Sequence, residues 1–138
     1  MATKEKVIRI RMLEVVMKYI VIVDDSDVIR SIVEQTLKMY NYSDIITAIN
    51  GKDALPKIKE NLGNIAMYIF DVNMPEMDGL TLLEEVRKFD KTTPIIMLTT
   101  ETDKEKILKA REIGATGWII KPFEGEKFIK VVDMYLKK

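Results

Sequence analysis

Asp24, Asp25 and Asp71 each stand where a short apolar run stops, and Thr99 and Lys121 close two later runs. The runs are Tyr-Ile-Val-Ile-Val (19–23), Met-Tyr-Ile-Phe (67–70), Ile-Ile-Met-Leu (95–98) and Trp-Ile-Ile (118–120). Short stretches of β-branched and aromatic residues are what buried strands are made of. Carboxylates gathered at neighbouring strand ends repel one another unless a cation lies between them. An all-oxygen set favours a hard divalent ion, Mg²⁺ before Zn²⁺. A hydroxyl and an ammonium added to a metal and a carboxylate make a site suited to a phosphoryl group.

The elements that must position these groups alternate regularly after residue 17. Strands are predicted near 19–24, 45–49, 67–71, 95–99 and 117–121, with helical spacing between them. Val28, Ile29, Ile32, Val33, Thr36 and Leu37 form the first stripe, with Ser26 or Asp27 placed to cap it. A second helix is expected over about 51–62, with Asn50 as its cap. Pro56 falls inside it and costs about 3 kcal/mol in a helix interior, which favours a late start near Leu55 or a kinked, distorted helix. The third helix, from about Leu80 to Phe89, presents Leu80, Leu83, Val86 and Arg87. The fourth runs from about Asp103 to Ile113 and stops at Gly114. The last begins near Glu126 and shows Phe128, Val131, Val132, Tyr135 and Leu136. Five strands alternating with five helices imply an α/β, doubly wound, five-stranded parallel sheet. Such sheets bind ligands beyond the carboxyl ends of their strands, the edge that carries all five chemistry-bearing residues.

Composition narrows the chemistry. Of 138 residues, 22 are Lys or Arg and 22 are Asp or Glu, so no net charge argues for nucleic acid or an anionic membrane. Cys and His are both absent, which excludes thiolate sites, imidazole bases and phosphohistidine within the chain. Phosphoryl chemistry here must use a carboxylate. No apolar run approaches the ~20 residues of a membrane helix, and the start of the chain lacks a secretory core, so a cytoplasmic protein is expected. Residues 1–16 fall outside the repeating pattern and form an N-terminal extension. They are apolar enough that partial order is expected. The nine Met residues are assigned to core packing.

Val-Asp-Asp-Ser (23–26), Phe-Asp-Val-Asn-Met-Pro-Glu-Met-Asp-Gly (70–79), Ile-Met-Leu-Thr-Thr (96–100) and Trp-Ile-Ile-Lys-Pro-Phe (118–123) together resemble a response-regulator receiver domain of the chemotaxis type. The likeness spans about residues 17–138. Four motifs in order at this spacing are highly specific. The resemblance implies a flavodoxin-like sheet of strand order 2-1-3-4-5 and a two-component phosphorelay role. Asp71 matches the phosphoacceptor. Asp24 and Asp25, with Asp71 and the Asn73 backbone carbonyl, match the Mg²⁺ set, Asp25 directly and Asp24 partly through water. Thr99 matches the switch hydroxyl, and Lys121 the lysine that offsets phosphoryl charge. Trp118 occupies the position of a rotameric aromatic, usually Tyr or Phe. Asn73, Thr100 and Glu101 fall where relatives tune phosphoryl lifetime. The Lys121–Pro122 bond is expected to be cis, and Asp78-Gly79 a turn in which Gly permits a positive φ.

The implied partners are a sensor histidine kinase as phosphodonor, a downstream target such as a flagellar motor switch protein, and a phosphatase. The chain is then a phosphoacceptor with slow self-dephosphorylation rather than an enzyme. No output domain is expected after Lys138, so the signal is expected to leave by protein contact. One alternative is a phosphorelay intermediate. An Mg-dependent phosphatase with an aspartate nucleophile is another, though Asn73 stands where such enzymes place a second Asp. No glycine-rich phosphate loop follows the first strand, which argues against a nucleotide-binding enzyme.

Overall fold

Tyr19–Val23 (β1), Ile45–Ala48 (β2), Ile65–Phe70 (β3), Ile95–Thr99 (β4) and Gly117–Ile120 (β5) pair in parallel, in the order β2-β1-β3-β4-β5. In the computed structural model the described residues are 18–137, so the 1–16 extension and its expected order lie outside them. Between the strands run helices Asp27–Met39 (α1), Gly51–Glu60 (α2), Gly79–Arg87 (α3), Lys104–Ile113 (α4) and Gly125–Leu136 (α5). Fold class and strand order agree with the expectation. Among the described residues no helix is long and apolar enough to cross a membrane.

The apolar runs of β1, β3 and β4 are continuous because these strands are buried on both faces. Val21, Val23, Tyr68, Phe70, Ile95 and Met97 join the core beneath α2, α3 and α4. Their alternates Ile20, Ile22, Met67, Ile69, Ile96 and Leu98 join the core beneath α1 and α5. Register follows: Val23 lies opposite both Ala48 and Phe70, and Phe70 opposite Met97. A one-residue slip would exchange the two cores, so the strand ends are held in step.

The helices are capped by the residues that precede them. Ser26, Asn50, Asp78 and Asp103 each accept a backbone N–H from the first turn of α1, α2, α3 and α4. Asn50 therefore starts α2 at Gly51, and the late start expected from Pro56 is wrong. Pro56 sits inside the helix, where the N–H that would reach the Lys52 carbonyl is missing. Ala54 and Ile58, both fully buried, hold the helix against the sheet, and one buried Ile contributes roughly 2–3 kcal/mol. That offsets a proline on the exposed side.

Three smaller expectations also change. Val28, Ile32 and Tyr135 face outward, while Leu82 and Ile129 are buried. Met67, Met74 and Met97 are core residues, but Met39 and Met134 are 78% and 69% exposed. Gly79 has no positive φ; that conformation belongs to Glu76, at φ 69. Gly is required at 79 because a Cβ there would lie 1.9 Å from the Asp71 carbonyl oxygen. The start of α3 is pressed against the strand end that carries Asp71.

Candidate functional site

The ladder continues one residue beyond three strands, and those residues are the chemistry-bearing ones. Asp71 N–H donates to Val23 O at 2.9 Å, Asp24 N–H to Ala48 O at 3.2 Å, and Lys121 N–H to Thr99 O at 2.9 Å. Each backbone is thus fixed by its neighbour at the carboxyl edge. The Lys121–Pro122 bond is cis.

The side chains converge. One carboxylate oxygen from each of Asp24, Asp25 and Asp71 lies within 4.8 Å of the others. Asp24 and Asp71 are buried and Asp25 is exposed. Lys121 Nζ lies 2.5 Å from Asp24 Oδ2 and 3.4 Å from Asp71 Oδ2, so it is held more tightly by Asp24 than by Asp71. Ser26 N–H donates to Asp24 Oδ1 at 2.9 Å. Burial pushes the Asp24 carboxyl above the usual carboxylate range. Lys121 and the Ser26 N–H counter this only in part, and the Asp71 charge adds to the rise.

Asp71 Oδ1 is, among the described residues, the buried side-chain polar atom without a hydrogen-bond partner. A buried carboxylate oxygen with no donor carries a cost of several kcal/mol unless a cation meets it. Three carboxylates against one ammonium leave the cluster short of positive charge. The donors are all hard oxygens, so the residues fit a divalent ion of the Mg²⁺ type.

Thr99 is fully buried at the end of β4, and its Oγ1 accepts the Glu101 N–H at 3.2 Å. The Glu101 carbonyl accepts the Trp118 indole N–H at 3.2 Å. Trp118 is half-buried and packs against the α2–α4 core. Asn73 Nδ2 donates to Glu101 Oε2 at 3.3 Å, joining the β3–α3 and β4–α4 loops. The Asn73 amide, then the Asp103 N–H and Lys106, hold the Glu101 carboxyl below its usual range. Thr100 is exposed.

Sequence reasoning missed one contributor, Arg30, and the contacts of another, Glu101. Arg30 Nη1 donates to the Asp24 carbonyl at 2.6 Å and its guanidinium pairs with Asp27, bracing the acidic loop from α1. A basic residue one turn into the helix after an acidic pair was the available signal. Glu101 is bonded at its N–H, carbonyl and carboxylate together, and nothing in its sequence neighbourhood announces that.

Residues 20–133 match the family described as the response regulator receiver domain. The chain is 40% identical to chemotaxis protein CheY1 of Helicobacter pylori over 119 residues, 85% of this chain and 95% of that one. It is 30% identical to chemotaxis protein CheY of Treponema pallidum, over 86% of this chain and 82% of the relative. Chemotaxis protein CheY4 of Vibrio cholerae superposes with a TM-score of 0.79 at 40% identity, over 86% of this chain and 98% of that one. A CheX–CheY–BeF3–Mg complex from Borrelia burgdorferi gives a TM-score of 0.82 at 30% identity, over 87% and 90%. These matches do not favour the relay-intermediate or aspartate-phosphatase alternatives. Members of this family are signalling proteins, generally not classed as enzymes. On fold, motif order and sequence identity together, the chain belongs to the response-regulator receiver family and is a CheY-type member.

Proposed function

We propose that this chain is a phosphorylation switch whose Asp71 takes a phosphoryl group from the phosphohistidine of a sensor histidine kinase. The observation that carries the reading is Asp71 Oδ1, buried and without a donor, beside two more carboxylates and with Lys121 on its companion oxygen. In the transfer the bond from phosphorus to imidazole nitrogen breaks and leaves its electron pair on nitrogen. A bond from phosphorus to an Asp71 oxygen forms as it does so. Asp25 and Asp71, with Asp24 partly through water and the Asn73 carbonyl, would hold Mg²⁺, and a relative at 30% identity is known in a complex with BeF3 and Mg. Bound there, the ion supplies positive charge to the phosphoryl oxygens.

The chain's own residues do the rest. Lys121 spans Asp24 and Asp71, so its ammonium is already placed to follow new negative charge on Asp71. Thr99 Oγ1 accepts from Glu101 and keeps its own proton to donate to a phosphoryl oxygen. Because Glu101 also accepts the Trp118 indole N–H, movement of Thr99 is felt at Trp118 on β5. Phosphorylation then shifts a two-state population rather than building a new structure. Two grooves flank β5, one against α4 at Ile107, Ala110 and Trp118, the other against α5 at Ile119, Phe123 and Phe128. This face is the output surface in our reading. The chemotaxis names of the relatives at 40% and 30% identity support a motor switch protein as its target. Asn73, two residues past the acceptor, and Thr100 and Glu101, which follow Thr99, set the rate of slow self-dephosphorylation. We place the protein in the cytoplasm and take the receiver unit as 17–138, preceded by the 1–16 extension.

Incubation with Mg²⁺ and acetyl phosphate, followed by intact mass, tests this. The expected result is one added phosphoryl group on the wild type and none on Asp71→Asn. An adduct that survives Asp71→Asn, or none on the wild type, would overturn it.

A further inference from the structure

Glu101 has a third tether that the family resemblance does not account for. Lys106 Nζ, on the first turn of α4, lies 3.4 Å from Glu101 Oε2, the same oxygen that accepts from Asn73. The other oxygen, Oε1, accepts the Asp103 N–H at 3.1 Å. A continuous polar bridge therefore runs from the β3–α3 loop, two residues past Asp71, through Glu101 to α4. The Glu101 side chain is 18% exposed and Lys106 44% exposed, so the bridge lies at the rim, where water would enter.

We infer that Lys106 is a positioning residue that sets the lifetime of the acyl phosphate by holding Glu101 across this rim; this rests on the phosphoacceptor reading above. In hydrolysis a water oxygen bonds phosphorus while the phosphorus–Asp71 bond breaks. The electron pair returns to the carboxylate, and the water proton passes to phosphate or solvent. A phosphoryl dianion on Asp71 repels the Glu101 carboxylate across the same gap. Asn73 offers Oε2 only a neutral amide, whereas Lys106 gives the same oxygen a full positive charge that offsets the repulsion. Without it the carboxylate swings outward, the rim opens and water reaches phosphorus more often.

The test follows acyl phosphate decay in Mg²⁺ after removal of the donor, for wild type, Lys106→Met, Lys106→Arg, Glu101→Gln and the double variant Lys106→Met/Glu101→Gln. Lys106→Met should decay on the order of two- to five-fold faster, the range open to an exposed ion pair. Lys106→Arg should restore the wild-type rate, and Lys106→Met should add nothing in the Glu101→Gln background. Added salt should speed the wild type towards the Lys106→Met rate and leave that variant unchanged. An unaltered rate in Lys106→Met, no rescue by Arg, or additivity with Glu101→Gln would overturn the assignment. The sole Trp gives a readout that needs no phosphoryl group, because its indole N–H is bonded to Glu101. Its single indole NMR resonance should shift in Lys106→Met and return in Lys106→Arg. If the wild type takes no phosphoryl group, the phosphoacceptor reading and the lifetime role fall together, yet the indole shift still reports the bridge. If it is phosphorylated and the resonance does not move, Lys106 alone is dismissed.

Discussion

Two acid-bearing clusters sit at opposite edges of the same sheet, and they are built by opposite rules. At the amino edge Asp90 has a donor for each of its oxygens. Tyr68 donates its hydroxyl to Oδ2 at 2.7 Å, and the Thr93 and Thr92 N–H groups reach Oδ1 at 3.1 and 3.3 Å. Arg87 closes the network by donating to the Gly114 and Asp90 carbonyls. Burial lifts the Asp90 carboxyl, but the Thr93 and Tyr68 hydroxyls and the two backbone N–H groups outweigh it and hold it below the usual range. Burial, and then Asp90, push the Tyr68 phenol up. At the carboxyl edge the balance reverses. Three carboxylates gather where one ammonium pairs with only two of them, Asp71 Oδ1 has no donor, and burial wins at Asp24. Matched donors mark an acid that holds the fold. Surplus acceptors mark one that waits for a ligand.

The contrast can be broken most decisively at the two central acids. Asp71→Asn should abolish phosphoryl uptake measured by intact mass, and Asp90→Asn should leave it unchanged. Equal loss in both would mean that the clusters are not separable. Next in size is Lys121→Met, which leaves Asp24 and Asp71 without their ammonium. Denaturant unfolding without Mg²⁺ should show a loss of about 3 kcal/mol, as for a buried pair stripped of one partner, with part recovered on adding Mg²⁺. Asp90→Asn should cost about 2 kcal/mol, since an amide cannot accept all the hydrogen bonds that the carboxylate does. Asp71→Asn should instead stabilise the metal-free protein by about 1 kcal/mol by relieving like-charge repulsion. A loss of stability there would contradict the idea of a strained acidic site.

The smallest effect is in pH dependence, where the two edges have opposite signs. Asp90 has a depressed folded-state pKa, so its stabilisation is present above the unfolded value of roughly 4 and is lost as pH falls through the folded one. Asp24 has a raised folded-state pKa, so its penalty is present at neutral pH and is relieved as pH falls through that raised value. Urea midpoints of the wild type in Mg²⁺-free buffer should therefore change little, or rise, on first acidification and drop only at lower pH. Asp90→Asn should flatten the final drop. A wild-type midpoint that falls steadily from neutral pH would show that the Asp24 penalty is absent.

Much of the carboxyl edge is legible in the sequence. Asp71, Asp24, Asp25, Thr99 and Lys121 are marked by their places at the ends of apolar runs, and those runs are strands within two residues of the expected bounds. Strand order is available only through resemblance, because periodicity says which residues are buried and not which strand lies beside which. The misread elements share a cause. Pro56 is tolerated because Ala54 and Ile58 pack on the sheet, a tertiary gain that local propensity does not contain. Gly79 answers to the Asp71 backbone eight residues earlier rather than to its own φ.

What the amino-acid order determined by itself was the alternation of buried strands with capped helices, and the kinds of groups delivered to the strand ends. Burial pattern and capping are local, carried by side chains a few residues apart. Which of those groups would meet was decided by packing alone. Lys121 lies 97 residues from Asp24 yet bonds it more closely than Asp71, and Tyr68 finds its acid in the loop after α3. Glu101 became a junction for Thr99, Trp118, Asn73 and Lys106 only once β3, β4 and β5 lay side by side. Electrostatic balance falls steeply with distance, so it exists only after the sheet has set those distances.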